Sequence, residues 1–137
     1  MKQSDCITCN NTTCLFKNSS TENLKQFSYE RGQQIFLKDM LVKGLYIVHN
    51  GLVEEFYVNP KKNKKIITQT VIDGEIFGHT DYSGTKHALN AIAAKNTQVC
   101  FIDKDSLYKT CQKNSEWTHK LMVFFLDQLN KSYNKRI

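Results

Sequence analysis

The stretch GLYIVHNGLVEEFYV (residues 44–58), with its continuation IITQTVIDGEIFG (residues 66–78), decides how the rest of the chain is read. Aromatic and β-branched side chains are dense here, and they alternate with other residues over short runs, as half-buried strands require. Leu45 to His49 reads as one strand and Leu52 to Val58 as the next. In the second, Leu52, Glu54, Phe56 and Val58 alternate against Val53, Glu55 and Tyr57. Asn50-Gly51 between them is a strong hairpin signal, because both central positions of a type I′ turn need φ > 0. Asn59 to Lys65 is polar, with four lysines, and reads as a solvated loop. Ile66 to Ile72 is a further strand, Asp73-Gly74 a turn, and Glu75 to Gly78 a short continuation.

The same punctuation extends in both directions. Gly32 precedes a strand at Gln34 to Leu37, and Ala88 to Ala94 and Thr97 to Ile102 make two more. Residues 79 to 87 (HTDYSGTKH) read as an exposed loop between them. Many short strands with regular turns mean a barrel, roll or sandwich. Near the start, Ser20 or Thr21 with Glu22 predicts a short helix over Thr21 to Phe27. After the last strand, Asp103 to Ser106 caps a short helix running through Thr110. Asn114 or Ser115, with Glu116 behind, caps a long one. On it Trp117, Leu121, Phe124, Phe125, Gln128 and Leu129 recur at helical spacing, and Met122, Leu126 and Tyr133 widen the stripe. A stripe this broad exceeds what one contact needs. Part of it is expected on the β domain and part on a second copy of the chain, with Trp117, Leu121, Phe124, Phe125 and Leu129 at that dimer interface.

Composition bounds the function. The 137 residues suffice for one core but not two. With 40% hydrophobic and 11% aromatic residues, disorder is excluded. The longest apolar run, Leu121 to Leu126, falls far short of the ~20 residues of a spanning helix. The N-terminus has no apolar segment of the signal-peptide kind. A cytoplasmic protein without membrane contact is expected. Net charge is +6, but only Arg31 and Arg136 are arginines, so the lysines read as a solubilising surface rather than a nucleic-acid face. His49, His79, His87 and His119 have no mutual spacing that builds a catalytic site. No nucleophile elbow, P-loop or carboxylate pair appears, so no enzyme is expected.

The order of these elements, with Gly32, Tyr46 to Val53 through Asn50-Gly51, Gly74-Glu75 and Gly78, resembles the cyclic-nucleotide-binding β-roll of the Crp/Fnr transcription regulators. The resemblance covers about residues 20 to 134. It implies a mainly β fold with flanking helices: a double-stranded β-helix, of jelly-roll or cupin-like form, ending in a long dimerisation helix. It divides the chain into a cysteine-bearing arm (1–20), the β-roll (21–112) and the dimerisation helix (113–137). It also implies that DNA is bound through a winged helix-turn-helix that these residues do not include. The ligand site it implies comprises Gly74, Glu75, Gly78, His79, His87 and Ala88. Two positions depart from the family cassette. His79 stands where the ribose-binding Glu is expected, and His87-Ala88 where an Arg-Ser pair holds the cyclic phosphate. A neutral imidazole is no permanent substitute for guanidinium, so a cyclic nucleotide is not the expected ligand.

Five cysteines without an export signal point to metal or redox chemistry rather than disulfides. Cys6-x2-Cys9-x4-Cys14, with Cys100 in a late strand, resembles the oxygen-sensing Fnr branch. That likeness implies a [4Fe–4S] cluster on Cys6, Cys9, Cys14 and Cys100, whose loss to oxidants would signal through the dimer helix. The second N-terminal gap is one residue shorter than in the best-known members. The residues alone leave three outcomes open: a cluster, a zinc ion, or no metal. Cys100 reads equally as a small buried hydrophobe, and Cys111 as an alternative ligand or a bystander. Beside redox sensing stand two other readings. One is a small-molecule module with its pocket between Gly74–His79 and Lys86–Leu89, where Thr80 and Asn90 add polar groups. The other is a dimerisation domain without an effector.

Overall fold

The computed structural model describes residues 2–3 and 24–135, with side chains from 24 to 131. Nine strands precede two helices: β1 (Lys2–Gln3), β2 (Lys25–Tyr29), β3 (Gln34–Phe36), β4 (Gly44–Asn50), β5 (Leu52–Asn59), β6 (Lys64–Ile72), β7 (Ile76–Phe77), β8 (Asn90–Ala93), β9 (Thr97–Asp103), α1 (Lys104–Lys113) and α2 (Ser115–Lys135). They form two antiparallel sheets, ordered β1-β2-β9-β4-β7 and β3-β8-β5-β6. The result is the mainly β roll with a C-terminal helix that the sequence pattern implies.

Two expectations are corrected. Of the span expected as helix, Thr21 to Phe27, residues 21–23 lie outside the described residues, and Lys25 to Phe27 belong to the strand Lys25–Tyr29, paired with β9 from Lys25↔Phe101 to Tyr29↔Thr97. Local capping signals lose here to tertiary pairing: β9 would otherwise expose an unpaired edge, and Phe27 packs edge-on against Phe101 at 6.3 Å. Asn50-Gly51, expected as a hairpin turn, is a corner between the sheets. β4 pairs with β9 and β7, whereas β5 pairs with β6 and β8. Gly51 has φ +140°, and a Cβ there would meet the Thr97 side chain at 2.3 Å. Its N–H donates to Asp73 Oδ1 at 2.8 Å, and the Leu52 N–H to Thr97 Oγ1 at 3.1 Å. The glycine is needed for a close approach rather than for a type I′ turn.

The β5–β6 pair is the true long hairpin, in register from Leu52↔Ile72 to Asn59↔Lys64. Its register shifts by one residue opposite Glu55 and Phe56, where Thr68 of β6 is the extra residue, and both Glu55 and Phe56 are buried. Between the sheets lies one core cluster, which includes Phe36, Val48, Val53, Val71, Phe77 and Val99. A second lies between the β4–β9 side and the helices, and includes Leu24, Ile47, Cys100, Leu107, Trp117 and Leu121. Asp103 caps α1 by accepting from Ser106 N at 2.7 Å, and Asn114 Oδ1 accepts from Trp117 N at 2.9 Å at the start of α2. Among the described residues no helix is long and apolar enough to cross a membrane.

Candidate functional site

The segment from Gly74 to Ala88 carries most of the implied ligand site, and the fold uses its residues in different ways. Gly74, at φ +85°, donates from N to Val48 O at 2.7 Å. Glu75 turns back on its own chain: its Oε1 accepts from Ile72 N at 2.9 Å, and its carbonyl accepts from Val48 N at 3.0 Å. Both residues are committed to the turn. Gly78 has φ +76°, and a Cβ there would press on the rings of Tyr46 (3.0 Å) and Phe36 (3.3 Å). Bare backbone at this position lets the roll interior reach the Gly78 amide.

What reaches that amide is Glu55. Alternation places its side chain on the same face of β5 as the core residue Val53, where it is 1% exposed. Burial pushes its carboxyl pKa up to about 7; the Gly78 N–H hydrogen bond pulls it down in part, and the nearby Asp81 charge pushes it up. Among the described residues its Oε1 has no hydrogen-bond partner. Asp81 Oδ2 accepts from Ala88 N at 2.9 Å, closing the loop on itself, and lies 3.8 Å from His87 Nδ1. His87 is 2% exposed and lies flat on Phe36, with ring centroids 3.7 Å apart. Burial holds the pKa of His87 below the usual imidazole range; Asp81 opposes this, and Lys104 reinforces it. Burial lowers His79 in the same way, against the pull of Asp81. The His79 ring meets α2, with centroids 5.4 Å from Phe125 and 6.1 Å from Phe124.

The structure places Gly78, His79, His87 and Ala88 in one loop, near Glu55 and Asp81, which sequence reasoning did not single out. The only sequence signal for Glu55 is its place in the alternation, on the same face as Val53. Thr80 lines a separate cleft of about 1050 Å³ between β6 and α2, together with Thr68, Thr70, Glu75, His79 and Phe125. Asn90 lies elsewhere: its Oδ1 accepts from Lys38 N at 2.9 Å. Of the expected interface residues, Trp117 (3% exposed) and Leu121 (8%) sit in the chain's own core. Phe124 and Phe125 are half-buried on it, and Leu129 is exposed. Cys6, Cys9 and Cys14 lie outside the described residues. Cys100 is buried in the core cluster that also holds Leu24 and Trp117, and Cys111 is half-buried. Among the described residues no group of three or more His, Cys, Asp or Glu is arranged to hold a metal ion.

Residues 26–114 match the cyclic nucleotide-binding domain. The chain belongs to that family. The domain's fold is also that of the catabolite activator protein of Thermus thermophilus, at 18% identity over 82% of this chain and 53% of that one, with a TM-score of 0.71. FixK2 of Bradyrhizobium japonicum is similar at 24% identity over 81% and 55% of the two chains, with a TM-score of 0.68. The sensor domain of the transcriptional regulator DNR of Pseudomonas aeruginosa is similar at 13% identity over 82% and 75%, with a TM-score of 0.67. The domain spans about half the length of the first two. No curated protein sequence matches it.

Family membership alone does not fix the ligand, and the charges around this site differ from those a cyclic phosphate calls for. A buried phosphodiester needs amide donors and a fixed positive charge. Here the Gly78 amide faces Glu55, a second carboxylate stands at Asp81, and the residue expected to neutralise the phosphate is an imidazole held below its normal pKa.

Proposed function

We propose that this chain is the sensor domain of a Crp/Fnr-type transcription regulator that dimerises through α2 and answers to something other than a cyclic nucleotide. The observation that carries this reading is the division of α2 into two seams. Trp117, Leu121, Phe124 and Gln128 face the β-roll side, with Trp117 and Leu121 buried and the other two half-buried. Met122 (53% exposed), Leu126 (55%) and Leu129 (67%) run along another line at spacings of four and three, the a/d pattern of a coiled coil. At 100° per residue the two lines are about 140° apart. One helix therefore touches the sensor and offers a second apolar seam to another α2. DNA contact would fall to a further domain of the regulator.

Sedimentation tests this. The wild-type chain is expected to be a dimer at micromolar concentration. Leu126→Glu with Leu129→Glu is expected to be a monomer with its melting temperature within a few degrees of wild type, since neither side chain is in the core. A wild-type monomer, or a dimer that survives both substitutions, would refute the pairing.

For the trigger, a thiolate-held [4Fe–4S] cluster on Cys6, Cys9, Cys14 and Cys100 is favoured by one contact. Leu24, through which the N-terminal segment joins the described fold, shares a core cluster with Cys100. The ten residues from Cys14 to Leu24 reach ~35 Å when extended, ample to bring the other sulfurs to that strand. Such a cluster, when bound, supplies oxygen-sensitive redox chemistry. Protein purified without oxygen is expected to carry about four irons and matching acid-labile sulfide per chain. It should lose both on Cys9→Ser. Zinc in place of iron, or no metal after anaerobic reconstitution, would sink the cluster.

A further inference from the structure

The loop between β7 and β8, with the neighbouring face of β5, gathers four titratable side chains that the proposed function leaves unused. Glu55 comes from β5; His79, Asp81 and His87 come from the loop before β8. Asp81 is their common neighbour, felt electrostatically by each of the other three. Glu55 and His87 are almost fully buried, at 1% and 2%, and among the described residues Glu55 Oε1, His79 Nδ1 and His87 Nδ1 have no hydrogen-bond partner. Among the described residues the other charged group felt there is Lys104, at the start of α1. β6 contributes only a neutral contact, the Thr68 hydroxyl donating to the Glu55 carbonyl at 3.2 Å, and α2 contributes the rings of Phe124 and Phe125. Aromatic rings close the rest: Phe36 lies on His87, and Tyr46 and Phe77 stack 5.1 Å apart behind it.

A site rich in acceptors and walled by rings favours a small cation. No three of these donors are placed to hold a metal ion, and the smallest cation is a proton. We propose that Glu55, His79, Asp81 and His87 form a proton-operated latch that sets how firmly α2 is held on the β-roll. With one proton on Glu55, the site holds a single carboxylate charge, Asp81 stays on the Ala88 amide, and the loop keeps His79 against Phe124 and Phe125. Loss of that proton places two carboxylates in one poorly solvated space. Their repulsion is relieved by shifting the loop, since Glu55 is fixed in β5 between β6 and β8. His79 belongs to that loop and touches α2, so loop movement loosens the helix. Proton loss from Glu55 lies near neutrality, within the range a cell's interior traverses.

The inference is independent of the cysteines and of dimerisation. Amide hydrogen exchange of the 137-residue chain, corrected for the intrinsic pH dependence of exchange, reads it directly. In the wild type, protection over residues 121–129 should fall about tenfold between pH 6 and pH 8, matching a one-unit change in the cluster's proton affinity. Glu55→Gln keeps the shape without the charge and should show a flat profile. His79→Ala, in which the loop still titrates but no ring reaches α2, should lose the pH dependence over 121–129 and keep it over 79–87. Identical pH profiles for wild type and Glu55→Gln, or loosening confined to 79–87 in the wild type, would overturn the latch.

Discussion

Glu55 shows how a single polar side chain can take a core position by alternation alone, since it shares a buried face of β5 with Val53. The energetic sign follows from the raised pKa. The folded state binds the Glu55 proton more tightly than the unfolded chain, so this stabilisation is complete below about pH 4.5 and is lost as pH rises to about 7. The two imidazoles act oppositely: their lowered pKa values withdraw stability as pH falls below 6.5. Between these limbs the domain should be most stable in mildly acidic solution. Glu55→Gln removes only the alkaline limb. Urea unfolding should find it more stable than wild type at pH 8, by at most about 3 kcal/mol, with the difference vanishing near pH 5. Equal stability at both pH values would mean that Glu55 ionises as freely as in water.

At the scale of elements, the corner at Asn50-Gly51 and the strand at Lys25–Tyr29 mark what local sequence can and cannot specify. Asn-Gly reports that the backbone needs an unusual φ, and at Gly51 it does. It does not report which strands will pair, because that depends on β9, some fifty residues later, lying beside β4. Likewise Ser20, Thr21 and Glu22 advertise a helix start, but the pairing of β2 along β9 is a long-range fact. Gly51→Ala tests the corner. Its Cβ would lie 2.3 Å from Thr97 Oγ1, so the loss should be about 2–4 kcal/mol, well beyond the ~1 kcal/mol ascribed to glycine flexibility alone. Thr97→Ser, which keeps the hydroxyl bonded to Leu52, should recover none of it, because the Thr97 Cα is also within 2.7 Å. Full recovery would show that the side chain alone resists the substitution. The two seams of α2 carry a similar lesson. The sequence presents one broad apolar stripe, and only the packed structure divides it into the part held by the roll and the part left open.

For the molecule as a whole, the jelly-roll class, most strand positions and the caps of α1 and α2 were legible, because alternation and Asx caps are local signals that the tertiary structure leaves in place in those elements. The interior of the site was half legible. Gly78, His79 and His87 could be placed by their resemblance to a cassette, but Glu55 arrives from a distant strand and Asp81 sits in a polar loop with nothing local to mark it. The strand order has one further consequence, for the chain as it is made. β9 is the middle strand of its sheet and ends at Asp103, so the long pairings of β2 and β4 have no partner until that residue has left the ribosome. The β5–β6 hairpin needs nothing beyond Ile72 and can close early. During synthesis the apolar faces of β2 and β4 therefore wait, uncovered, for most of the chain's emergence. That interval is when a nascent copy is most exposed to chaperones or to a neighbour on the same message.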